Sequence, residues 1–297
     1  MNLLDRLARR GLLVVTGKGG VGKTTMVAIL GRLLAARGRR VLMLEVDPRE
    51  SLHRLLGVPP AGGEVVQVEP GLWLENVRPR AVLEALVRQQ VKVPLLVGKI
   101  VQSPVFRHFA DGAPGLKEMA VLGHAWQLLR GEAKPRVDTV ILDAPATGHG
   151  LALLSAPLLV GEVLGRGPLG KLAAQLADFV RDPKQVGVVI GTLAEEMPVQ
   201  EAGELISQLD ERLGRPPELV ITNALYPKFP GRPPRAPRGT AEALQLWKRR
   251  RKANERELRR LRRVWPGPRA ELPLLAIPPG PALVAELQGR LSEALQS

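Results

Sequence analysis

Apolar residues along this chain fall into two kinds of run. Some runs are short and nearly unbroken: Leu12–Thr16, Val41–Glu45, Val137–Leu142, Val186–Gly191, Leu219–Thr222 and Leu274–Ile277. Others are longer and recur at three- and four-residue spacing: Thr24–Ala36, Arg80–Val91, Leu116–Leu129, Leu151–Val180, Val199–Leu213, Thr240–Val264 and Pro281–Leu295. The first kind predicts strands buried on both faces, the second amphipathic helices. Gly38 closes the first long helix as a C-cap, and Gly-Pro at 167–168 interrupts the Leu151–Val180 stretch. Strands alternating with helices predict an α/β fold, a parallel sheet flanked by helices with right-handed crossovers. Residues 51–135 read as mostly helical, cut into pieces by Pro94, Pro104 and Pro114. No repeat is visible, so residues 1–297 are expected to form one domain carrying that helical insertion.

The sharpest chemistry follows the first strand. Residues 17–24 read Gly-Lys-Gly-Gly-Val-Gly-Lys-Thr, a phosphate-binding loop of the G-x-x-x-x-G-K-[ST] type. Glycines let successive backbone N–H groups turn inward toward phosphate oxygens, and the helix that follows adds its positive end. Lys23 then meets the β- and γ-phosphates, and the Thr24 hydroxyl is a Mg²⁺ ligand. The same residues satisfy G-x-G-x-x-G, with Glu45 and Asp47 about twenty residues on, as in a dinucleotide fold. A dinucleotide has no use for a lysine and a hydroxyl packed in the first turn, so the nucleotide-hydrolase reading is preferred.

Phosphoryl transfer also needs a carboxylate in the metal shell and a group that orients water, both at the C-terminal edge of the sheet. Asp143 ends the strand Val140-Ile141-Leu142, and Asp47 follows the strand Val41–Glu45. These are the two candidates.

Composition narrows the picture further. Hydrophobic residues are 45% of the 297 and aromatics only 3%, so the core must be aliphatic. There is no cysteine, which excludes disulfides, thiolate zinc sites and cysteine nucleophiles. No signal peptide is visible, and no apolar stretch reaches the ~18 residues of a membrane span. A cytoplasmic protein that is not integral to a membrane is expected. Of the net charge of +14, ten units lie between Arg232 and Arg263, where 13 Lys/Arg face 3 Asp/Glu. Two readings compete for that segment: contact with nucleic acid or anionic lipid, and a solvated helix packed by the stripe Leu244, Trp247, Leu258, Leu261 and Trp265. Stacking aromatics are too few for a single-strand platform, and the second reading is preferred.

These motifs carry a resemblance. Gly17 to Thr25 resembles the deviant phosphate loop of the partitioning and nitrogenase-reductase class of ATPases. Asp143-Ala-Pro-Ala-Thr-Gly-His149 resembles switch II of one branch, which holds the arsenite-pump ATPases and the ATPases that target tail-anchored membrane proteins. Val46-Asp47-Pro48 resembles switch I, and the Thr147-Gly148-His149 ending separates this branch from the partitioning ATPases. The resemblance implies a P-loop ATPase with ATP and Mg²⁺ as its cofactors. Gly17, Lys18, Gly19, Gly20, Val21, Gly22, Lys23, Thr24 and Thr25 would bind nucleotide, with Thr25 on the α-phosphate. Lys18 would be the signature lysine that crosses a dimer interface, Asp47 the water-orienting aspartate, and Asp143 a metal-shell group acting through water. Asn223 would read the adenine edge and Pro278 would border the base pocket. It further implies a homodimeric switch for a membrane-protein client or transporter subunit, with residues 51–135 as the effector or client subdomain. Without cysteine there is neither a C-x-x-C zinc site nor a thiolate metalloid site, and with Met119 alone in residues 51–135 no methionine-lined groove is evident. The alternative is a partitioning-like module that holds DNA or membrane through the basic helix.

Overall fold

The structure, a computed structural model, describes residues 2–90, 102–103, 112–145, 149–165, 168–228 and 238–296. Thr147, Gly148, Val91, Pro94 and Pro104 lie outside the described residues, as do residues 229–237 before the basic helix.

The strand patterns predict a sheet covered on both faces, and the burial bears this out. Strands β1 (Leu12–Gly17), β2 (Val41–Glu45), β5 (Thr139–Asp143), β6 (Val186–Leu193) and β7 (Leu219–Leu225) are the apolar runs. Their successive side chains enter opposite layers, as the two-residue period of a strand requires. Leu13, Val15, Met43 and Ile141 join one buried cluster, and Leu12, Val14, Leu42 and Leu142 the other. Helices α1 (Leu3–Ala8), α2 (Lys23–Ala35), α3 (Leu52–Leu56) and α10 (Pro281–Gln296) cover the first face. Helices α5 (Leu116–Leu129), α6 (His149–Leu164), α7 (Pro168–Arg181), α8 (Glu196–Leu213) and α9 (Arg238–Val264) cover the second. Burying each leucine or valine of these layers contributes roughly 1.5–3 kcal/mol, so two mostly aliphatic layers suffice with few aromatics, Phe179 among them.

Two further strands, β3 (Val65–Glu69) and β4 (Leu72–Asn76), form a hairpin inside the region that reads as helical. Helix α4 (Pro79–Gln90) follows it. With β8 (Arg269–Pro273) the sheet has eight strands in the order β3-β4-β2-β5-β1-β6-β7-β8. All neighbouring pairs are parallel except β3 with β4. The hairpin signal is Pro70-Gly71 between two short runs, with Gly71 at φ 81°. Its alternation is weak because β3 is an edge strand, with Val65 37% exposed.

The last strand also differs from expectation. Leu274–Ile277 is the more continuous apolar run, but the strand is Arg269–Pro273, and Leu274 only donates its N–H to the Leu225 carbonyl at 2.7 Å. An edge strand with one buried face alternates, and here Ala270 and Leu272 are buried while Glu271 is exposed. A search for unbroken runs passes over such a strand.

Candidate nucleotide-binding site

The parallel strands all end on one edge, and β1 leads from its centre into the loop 17–22. That loop turns onto α2, whose first residue is Lys23. The N-cap is Gly22 at φ 90°, and no side chain caps the helix, so its first N–H groups face the loop. Gly17 sits at φ 143°, and a Cβ built there would strike the Gly191 carbonyl of β6. At Gly22 a Cβ would strike the Asn223 amide. Only glycine lets the loop pack this closely between β6 and β7.

Thr24 and Asp143 are brought together: the Thr24 hydroxyl donates to Asp143 Oδ2 at 2.7 Å. The other carboxylate oxygen, Oδ1, is buried and has no partner among the described residues. Burial pushes the Asp143 carboxyl up to about 7; the nearby Glu45 and Asp47 charges add to this, and the Thr24 bond and Lys23 oppose it. Lys23 is buried too; its ammonium donates to the Lys18 carbonyl at 3.1 Å, and burial lowers its pKa. A hydroxyl and a carboxylate with one unspent buried oxygen form a hard-oxygen donor set that fits Mg²⁺.

Asn223 reaches the loop from β7, donating its amide N–H to the Val21 carbonyl at 3.0 Å. A bulge displaces the β7–β8 register between Thr222 and Leu225, with Ala224 in the left-handed region at φ 52°. Asn223 lines a cavity of about 380 Å³ with Tyr226, Arg250, Asn254 and Leu274. Pro278 is exposed in the loop that Leu274 begins, between β8 and α10. Asp47 is exposed beyond β2; its Oδ1 accepts from the Arg49 N–H at 2.9 Å, and its backbone carbonyl accepts from the Asn76 amide at 2.7 Å. Thr25 is half-buried on α2, and Gly19 and Gly20 are exposed at the loop tip.

Sequence reasoning names Glu45 only under the dinucleotide pattern and misses Glu201 altogether. Glu45 is buried opposite Asp143 in the β2–β5 register, accepts from the Ser51 and Leu52 N–H groups, and has its pKa raised by burial. Its strand-end place was the available signal. Glu201, on α8, accepts from the Lys18 ammonium at 2.5 Å. No local signal marks it, because it lies 183 residues away on an ordinary amphipathic helix.

A glycine-rich strand-to-helix loop, a lysine and threonine in the first turn and a carboxylate at the next strand end define a P-loop nucleotide hydrolase. The chain matches the profile of the anion-transporting ATPase family over residues 10–181, and it belongs to that family of ATPases. It is 30% identical over 231 residues to the ATPase BagA of Mycobacterium tuberculosis, covering 75% of this chain and 67% of that one. An arsenical pump-driving ATPase of Escherichia coli is 32% identical over 228 residues, 75% of this chain and 37% of the other. ATPase GET3C of Arabidopsis thaliana is 26% identical over 171 residues, 52% of this chain and 44% of the other.

Proposed function

We propose that this ATPase is a Mg²⁺-dependent, dimeric nucleotide switch serving protein targeting or transport. The observation that carries this is the Thr24–Asp143 contact at 2.7 Å beside the start of α2, with Asp143 Oδ1 buried and without a partner among the described residues. Thr24 would hold Mg²⁺ directly and Asp143 through water. No group of three or more His, Cys, Asp or Glu side chains able to hold a metal lies among the described residues, so phosphate and water would complete the shell. Bound there, the ion would neutralise charge on the β- and γ-phosphate oxygens.

Gly17 to Gly22 cradle the phosphates with their N–H groups. Lys23 gives up the Lys18 carbonyl for phosphate oxygens, Thr25 contacts the α-phosphate, Asn223 reads the base, and Pro278 borders it. Asp47 orients the attacking water. It is exposed on the loop after β2, where a switch segment would close on the γ-phosphate. Lys18 acts in trans across a homodimer.

The client is a membrane protein or a transporter subunit. Support comes from the relative named an arsenical pump-driving ATPase and from the resemblance to tail-anchor targeting ATPases. No helix among the described residues is long and apolar enough to cross a membrane, which suits a cytoplasmic switch. A thiolate zinc site and a thiolate-bound metalloid have no place, because the chain has no cysteine.

The test is MgATP hydrolysis with Lys23→Ala alongside, plus sedimentation with ATP and with ADP. Turnover lost in Lys23→Ala and an ATP-dependent dimer are expected; a monomer in every nucleotide state would refute the switch. One observation favours a partitioning-like alternative: Lys248, Arg249, Lys252 and Arg259 are exposed on α9. ATP-dependent, salt-sensitive retention on duplex DNA or anionic vesicles would support that reading instead.

A further inference from the structure

Lys18 is held at both ends within one chain. Its carbonyl accepts from the Lys23 ammonium, and its own ammonium donates to Glu201 Oε1 at 2.5 Å. Lys18 and Glu201 line a cavity of about 340 Å³ beside the loop, with Gly17, Gly191 and Leu205 among its other walls. The two side chains are 33% and 35% exposed, so water and salt weaken the pair and it adds little to stability. Its consequence is directional. A lysine is a compact charge on a flexible four-carbon stem, and a carboxylate at hydrogen-bond distance decides where that charge rests. An ammonium committed to α8 is not committed to a phosphate.

We propose that Glu201 is a positioning residue for Lys18: it holds the ammonium against α8, and this contact must open before Lys18 can reach a nucleotide. The proposal rests on reading the loop as a nucleotide site and extends it to a residue that site does not contain. It also predicts an asymmetry. Lys23 has only to leave a neutral carbonyl of its own loop, whereas Lys18 has to leave a charged carboxylate on α8, so its entry is a separate and salt-sensitive step.

The test begins without nucleotide. Amine acylation of the full chain, read by peptide mass spectrometry, reports how free Lys18 is relative to the exposed Lys184, Lys248 and Lys252. Glu201→Gln should raise Lys18 labelling about two- to fivefold, the range an exposed ion pair can supply. The reference lysines should not change, and neither should Lys18 in Glu204→Gln. Raising salt from 50 to 500 mM should raise Lys18 labelling in the wild type but not in Glu201→Gln. In the ATPase assay Glu201→Gln should raise kcat by a similar factor with KM unmoved, and Lys18→Ala/Glu201→Gln should match Lys18→Ala. Equal Lys18 labelling in the wild type and Glu201→Gln would overturn the proposal, as would a Glu201→Gln gain that survives in Lys18→Ala. Labelling as expected in a chain that never turns over ATP would leave the contact standing, but would overturn its purpose together with the nucleotide reading.

Discussion

Asp143→Asn isolates what the buried carboxylate costs the empty protein. In the fold its pKa is about 7, against an ordinary value of 3.8. The fold therefore favours the protonated form. The corresponding stability is fully present below about pH 4 and is lost as the pH rises through 7. A rise of about three units, at about 1.36 kcal/mol each, sets an upper limit of roughly 4 kcal/mol at pH 8. Asparagine is neutral throughout and keeps an acceptor for the Thr24 hydroxyl. Its N–H₂ would meet the space of the unpartnered Oδ1, a pH-independent cost of roughly 1–3 kcal/mol. The slope of the difference, not its offset, is thus the readout.

Without metal or nucleotide, the melting temperature of Asp143→Asn should climb relative to wild type between pH 4.5 and pH 8. The relative gain should be several degrees, at about 2 °C per kcal/mol for a chain of this size. Glu45, also raised by burial, titrates in both proteins and largely cancels in the comparison. Saturating MgATP should reverse the order, because a ligand that binds only the fold stabilises wild type and the variant has lost the metal-side carboxylate. A difference flat across that pH range would show that Asp143 is not held as a strained, partly protonated acid, and would remove the argument that its free oxygen awaits a cation.

Asp47→Asn should retain ATP binding by calorimetry while steady-state turnover falls by at least about 10²-fold, since water loses its orienting carboxylate; a variant as fast as wild type would remove Asp47 from the mechanism. Gly17→Ala should cost at least about 2 kcal/mol in urea denaturation, because its Cβ meets the backbone carbonyl of Gly191 rather than a movable side chain. Asn223→Ala should raise the KM for ATP about tenfold and narrow the preference for ATP over GTP, as expected when an amide that pairs with a base edge is removed; an unchanged ratio of ATP to GTP turnover would place base recognition elsewhere.

The central strands were legible because they are buried on both faces, and burial on both faces leaves an unbroken apolar run. The edge strands were not. Glu271 of β8 and Val65 of β3 meet solvent, so their runs alternate or dilute, and the eye passes to Leu274–Ile277 or to a helical pattern instead. The phosphate loop was legible for a different reason. A loop that packs against the Gly191 carbonyl and the Asn223 amide tolerates no Cβ at Gly17 and Gly22, so its geometry is written as glycine.

Local sequence therefore determined the sheet core, the helix start at Lys23 and the acidic strand end at Asp143, because each depends on residues a few positions apart. Tertiary structure alone decided that Thr24 meets Asp143 across 119 residues and that Lys18 meets Glu201 across 183. It also decided that Asp143 keeps one buried oxygen without a partner among the described residues. Contacts between distant positions, and the desolvation they bring, arise only when the sheet order has placed the strand ends side by side.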